Sequence, residues 1–138
     1  MEGCPFCEIN RTRNRIVHET EHSLTLLSNP RLMPGHALVI PKRHVEKPWE
    51  LEDAELTDIF HEMWRVEQKL LETKLATGVD IRQNYRPFLV QGRLKVNHLH
   101  FHVLPRTNED ELYETSMRFE QFHDLSDTER DHITNLLA

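Results

Sequence analysis

Two periods of hydrophobicity alternate along this chain, and where one gives way to the other predicts its elements. Short apolar or mixed runs at Ile16–Glu19 and Ser23–Leu27 flank Thr20-Glu21-His22, the pattern of a two-stranded hairpin. Ala37-Leu38-Val39-Ile40 is too short for a helix and sits between Gly35 and Pro41, so it reads as a buried strand with His36 at its entrance. Over 52–74 the period lengthens: Leu56, Ile59, Phe60, Met63, Val66 and Leu70 recur at three- and four-residue steps, the core-facing stripe of one long amphipathic helix. Gly78 supplies a stop for that helix, and 79–85 and 95–104 read as two further strands. Ser126 and Glu129 have capping-box spacing ahead of Ile133, Leu136 and Leu137, which predicts a short terminal helix. About five antiparallel strands, one long helix and a short C-terminal helix make an α+β domain.

The connections carry their own signals. In Asn29-Pro30-Arg31-Leu32-Met33-Pro34-Gly35 two prolines withhold backbone donors and the glycine permits a tight turn. The segment 86–93 is a large connection between the last two strands. A chain of 138 residues is expected to form a single domain over 1–138, long enough to bury a core without disulfides. Its formal charge of −6 argues against a partner that is a long nucleic acid, whose backbone demands a basic surface; a small phosphorylated ligand needs only local positive groups. No apolar run approaches the roughly 18 to 20 residues of a membrane span, and the N-terminus lacks the pattern of a signal peptide, so a cytoplasmic protein without membrane attachment is expected.

Against this background His98, His100 and His102 stand out, at alternate positions among Leu99, Phe101, Val103 and Leu104. Successive strand side chains point to opposite faces, so the three imidazoles share one face and the apolar residues the other. Same-face neighbours lie roughly 6.5 to 7 Å apart, near enough for one substrate group or metal ion to meet two of them. A neutral imidazole is nucleophilic and exchanges protons near pH 7. Cys4 and Cys7, the only two cysteines, have the two-residue gap that lets both thiolates hold one tetrahedral ion, a site that needs two more ligands. A thioredoxin-type role would place the motif between a strand and a helix, which a position so near the N-terminus does not provide.

The run His98-Leu99-His100-Phe101-His102-Val103-Leu104, followed by Pro105-Arg106, resembles the signature of the histidine triad (HIT) family. Pro34-Gly35-His36-Ala37-Leu38-Val39-Ile40-Pro41-Lys42-Arg43-His44 resembles that family's upstream element. The resemblance implies a HIT-like fold and a nucleotide hydrolase or nucleotidyl transferase of the zinc-containing bacterial-type branch. His100 would attack the α-phosphorus of a phosphoramidate, a dinucleoside polyphosphate or a similar substrate, forming a nucleotidyl-histidine. His102 and His36 would orient that ring and donate hydrogen bonds to phosphoryl oxygens. Asn29 would hold the ribose and Asn84 would serve on the strand before the triad, the ligand being a purine nucleotide or nucleotide conjugate. Cys4, Cys7, His44 and His98 would bind a structural zinc ion, and the chain would form a two-fold homodimer, with Met63 and Trp64 on the shared helix surface. Many members carry Gly-Gln-Ser/Thr before the triad, where this chain reads Arg93-Leu94-Lys95. Lys95 on the triad face would favour substrates with additional phosphates, although an unbroken strand turns it to the opposite face. Two other readings stay open: a nucleotide-binding module without turnover, and a zinc enzyme that uses the triad histidines as catalytic metal ligands.

Overall fold

A computed structural model describes residues 1–11, 16–92, 94–112, 114–115 and 120–138. Strands β1 (Ile16–Glu19), β2 (Ser23–Leu27) and β3 (Ala37–Pro41) precede helix α1 (Asp53–Glu72); β4 (Gly78–Gln83) and β5 (Phe101–Arg106) follow it, and α2 (Asp127–Leu137) ends the chain. The strands form one antiparallel sheet in the order β1-β2-β3-β5-β4. This is the expected α+β architecture. Among the described residues, no helix is long and apolar enough to cross a membrane.

One face of the sheet packs on α1. Ile59, Met63, Val66 and Leu70 meet Ala37, Val39, Leu99, Phe101 and Val103 in a closed core. On the other face Leu24, Leu26, Leu38 and Ile40 pack together beneath Phe6, Ile9 and Ile16 of the N-terminal segment. Strand alternation therefore feeds two apolar layers, and β3 is buried along its whole length.

The helix differs from the expected stripe in three respects. Leu56 and Phe60 are exposed beside Trp64, whereas Met63 is wholly buried, so the row Leu56, Phe60 and Trp64 faces outward from α1 and Met63 does not. Positions 56, 60 and 64 lie four apart and form a row next to the core-facing one. Glu55 and Glu62 are buried, which their charge did not suggest: Glu55 closes a capping box with Glu52 and pairs with Arg43, while Glu62 binds Arg65, Thr25 and His18 at 2.6, 2.7 and 2.9 Å. Finally, α1 stops at Glu72, where Thr73 caps it and Lys74 turns left-handed at φ 61°; Gly78 instead opens β4.

The predicted strand 95–104 begins only at Phe101 and runs on to Arg106. The ladder dictates this: β3 pairs with β5 no further back than Val39↔Phe101, and β4 no further than Gln83↔Phe101. Likewise β4 ends at Gln83, two residues short of the expectation. His98 and His100 thus lie just before the strand, yet their alternation persists, because the Leu99 N–H bonds to the Val45 carbonyl and its side chain enters the core. Upstream, Gly92 and Lys95 exchange two backbone hydrogen bonds in a tight turn. Arg93 lies outside the described residues. The terminal helix forms as expected, with Ser126 Oγ accepting from the Glu129 N–H, but none of its residues is buried.

Candidate functional site

The triad sits where β5 enters the sheet, on the face away from α1. Directly across the ladder, His102 faces Leu38 of β3 and Arg82 of β4. His36 arrives from the start of β3. The loop before it turns at Gly35, whose φ of 89° suits glycine and whose added Cβ would stand 3.1 Å from Pro105 Cγ, so the loop is held tightly against β5.

Hydrogen bonds assign the proton on each ring. The Leu32 N–H donates to His36 Nδ1 at 3.1 Å, so that nitrogen keeps its lone pair and the proton sits on Nε2. His36 Nε2 then donates to His102 Nδ1 at 2.9 Å, which leaves the His102 proton on its own Nε2. His100 Nδ1 lies 2.7 Å from the His98 carbonyl oxygen and must donate to it. The Nε2 of His100 is consequently a free lone pair. The ring centres of His100 and His102 are 5.0 Å apart, and Phe6 stands edge-on to His100 at 5.4 Å.

All these rings are neutral at pH 7. Burial lowers His36 to about 4, helped by the charge of Arg82 and by His100. Burial likewise lowers His102 to about 3, with His100, His36, Arg82 and Arg86 adding to it. His100 is lowered by burial too, against the opposing pull of its bond to the His98 carbonyl. A neutral ring with a lone pair on Nε2, beside a ring whose Nε2–H has no hydrogen-bond partner among the described residues, can attack an electrophile and donate to the oxygens around it.

A second cluster adjoins the first. His98 is 1% exposed, and its Nε2 donates to the Pro41 carbonyl at 2.8 Å, so its Nδ1 lone pair turns toward Cys4 and Cys7, each sulfur 3.5 Å away. Cys7 Sγ is 3.3 Å from His44 Nδ1. The ligand atoms of Cys4, Cys7, His44 and His98 all lie within 4.8 Å of one another. Tetrahedral zinc with these donors sets ligand atoms roughly 3.3 to 3.8 Å apart, so the set fits the ion. One further observation agrees: burial raises the Cys4 thiol, a penalty that a bound cation would reverse. Of the triad only His98 belongs to this group, while His100 and His102 spend their Nδ1 atoms on other bonds. That distribution disfavours a catalytic metal held by all three.

The remaining candidates are placed less closely. Asn29 precedes Pro30 across a cis peptide bond, and among the described residues no hydrogen bond ties its side chain to the site. Asn84 and Lys95 line one cleft with Asn97 and His98, about 370 Å³ in volume. Because the strand starts after it, Lys95 escapes the opposite face, and its ammonium is hydrogen-bonded to Asn97 Oδ1. Phe6 and Arg82 were not singled out by the sequence. Phe6 lies inside the cysteine motif, a signal that could have drawn attention to it; for Arg82 only the strand register supplies one.

A HIT domain model matches residues 10–109. The adenosine 5′-monophosphoramidase of Schizosaccharomyces pombe is 36% identical over 113 residues, which cover 78% of this chain and 77% of that protein. A HIT family member from Bacillus subtilis superposes with a TM-score of 0.74 at 25% identity, covering 99% of this chain and 95% of that one. A zinc-bound histidine triad family protein from Mycobacterium smegmatis superposes with a TM-score of 0.67 at 27% identity, covering 93% and 86%. With its family-model match and its arrangement of histidines, this chain belongs to the HIT domain family.

Proposed function

We propose that this protein is a hydrolase or nucleotidyl transferase acting on the α-phosphorus of a purine nucleotide conjugate, with His100 as the nucleophile. The observation that carries the reading is the bond from His100 Nδ1 to the His98 carbonyl, which leaves Nε2 as a lone pair on a half-buried neutral ring. In the first step Nε2 bonds to phosphorus, and the bond to the leaving group breaks with its electron pair departing on that group. Water then attacks phosphorus and releases a proton, and the P–N pair returns to Nε2. The His102 Nε2–H, aligned by His36, donates to the phosphoryl oxygens as charge builds on them. Asn29 and Asn84 serve the ribose and phosphate, and Lys95 shares its cleft with Asn84.

The monophosphoramidase relative supports a nucleotide substrate, and the zinc-bound neighbour supports zinc at Cys4, Cys7, His44 and His98. Such an ion would be structural: it would tie the N-terminal segment, and with it Phe6, to the loop ahead of His100. A homodimer is supported by the free outer edge of β4 and by the exposed row Leu56, Phe60 and Trp64 on α1. A cytoplasmic, single-domain protein completes the reading.

The test is to mix the protein with an α-labelled nucleotide conjugate and quench within one turnover. Label should be covalently retained by the wild type and absent from His100→Ala, whose turnover should fall by several powers of ten while nucleotide binding survives. Undiminished turnover in that variant would exclude His100 as nucleophile; binding without turnover in the wild type would leave a nucleotide-binding module.

A further inference from the structure

We propose that Arg82 is a specificity-determining residue that grips a phosphate beyond the one attacked, so that this chain prefers phosphoanhydride substrates, whose leaving group is an anion, over phosphoramidates, whose leaving group is an amine. The proposal rests on the reading of His100 and His102 given above and names the substrate class of that site.

Three observations place Arg82 there. Arg82 and His102 are direct partners in the β4–β5 ladder, so their side chains rise from the same face of the sheet, next to each other. Cross-strand neighbours have Cβ atoms about 4.5 to 5.5 Å apart, well within the reach of an arginine beside an imidazole. Secondly, the same-face carboxylate two residues back, Asp80, is engaged by Arg106, which also holds Asp110 at 2.8 Å. Among the described residues no carboxylate lies within ion-pair distance of Arg82, and it is only half-buried, so its guanidinium is free to meet a ligand. Thirdly, its charge reaches both His36 and His102, where it adds to burial in keeping those rings neutral. A fixed cation that faces the catalytic histidines, in a chain of net charge −6, is a local exception to the protein's overall charge.

The chemistry selects the ligand. When His100 attacks the α-phosphorus of an anhydride, the bridging P–O bond breaks, its electron pair leaves on the outer phosphate, and negative charge accumulates there. No proton is required for that departure. A guanidinium presents a planar fork that matches two phosphate oxygens and cannot be deprotonated at working pH, so it stabilises this anion in the transition state. An amine leaving group offers no oxygen to that fork and must gain a proton, which Arg82 does not supply. Arg82 therefore contributes to one substrate class and not to the other.

The experiment compares kcat/KM for diadenosine tetraphosphate and adenosine 5′-phosphoramidate in the full-length wild type, Arg82→Ala and Arg82→Lys. Arg82→Ala should lower the anhydride value by about 10- to 100-fold, the range for one charge-assisted hydrogen bond to a charged group, and leave the amidate value within about threefold. Arg82→Lys, a point charge without the fork, should recover part of the loss. Calorimetric binding of ADP against AMP gives an independent readout: the wild type should favour ADP and Arg82→Ala should lose that preference. Parallel loss on both substrates, or no loss on either, would overturn the proposal, as would a wild type with no preference for ADP. If the wild type turned over neither substrate yet its ADP preference vanished in Arg82→Ala, the hydrolase reading would fall and the role of Arg82 would stand.

Discussion

Replacing His36 by glutamine should make the fold less sensitive to acid, because His36 is a buried ring that the native state keeps neutral. Its residue is 4% exposed, and its pKa falls from 6.5 to about 4 through burial, Arg82 and His100. The unfolded chain therefore takes up the proton first as pH drops. Stability from this group is complete above about pH 6.5 and is lost as pH falls toward 4. At pH 5 the two pKa values imply a roughly thirtyfold shift of the equilibrium toward the unfolded chain, or about 2 kcal/mol. The full loss, below both values, is about 3 kcal/mol. Glutamine carries no such proton. Urea denaturation of wild type and His36→Gln at pH 7.5, 6 and 5 gives the comparison. The variant should start lower at pH 7.5, by about 1 kcal/mol for the disturbed bonds to Leu32 and His102, yet lose about 2 kcal/mol less than wild type on going to pH 5. Any metal lost on acidification leaves both proteins alike, so the difference isolates the ring. Parallel losses in the two proteins between pH 7.5 and 5 would refute a buried neutral His36.

Protein purified without added metal should contain about one zinc per chain, and Cys4→Ser or His44→Ala should lose it together with thermal stability; metal analysis that finds none, with both thiols freely titratable, would count against the site. Trp64→Glu should shift sedimentation at micromolar concentration from a dimer to a monomer mass, since Leu56, Phe60 and Trp64 are the exposed apolar row on α1; a wild type already monomeric would remove the basis for an interface there. Lys95→Ser should reduce turnover of dinucleoside polyphosphates more than that of a nucleoside monophosphate ester, and an unchanged ratio would leave Lys95 as no more than the partner of Asn97.

Much of this protein is local in origin and therefore legible along the chain. Alternation put Leu99, Phe101 and Val103 in the core and turned His98, His100 and His102 away from it, and this held even where no ladder pairs the backbone, because side-chain partition between core and surface needs no partner strand. The period of 52–74 sufficed for α1, and the spacing of Cys4, Cys7, His44 and His98, by resemblance, for the group that the fold brings together. What the chain order left undecided is non-local. Which helix row faces the sheet placed Met63 inside and Phe60 outside, and buried Glu62 among Thr25, His18 and Arg65 from two strands and its own helix. The proton on the His102 ring depends on His36, and that on the His98 ring on the Pro41 carbonyl, partners far away in the chain that meet only when the sheet forms. Arg82 shows the limit most directly. A slip of one residue in the β4–β5 register would turn it to the opposite face, so its place beside His102 was decided by strand pairing, and no property of its own segment could have assigned it there.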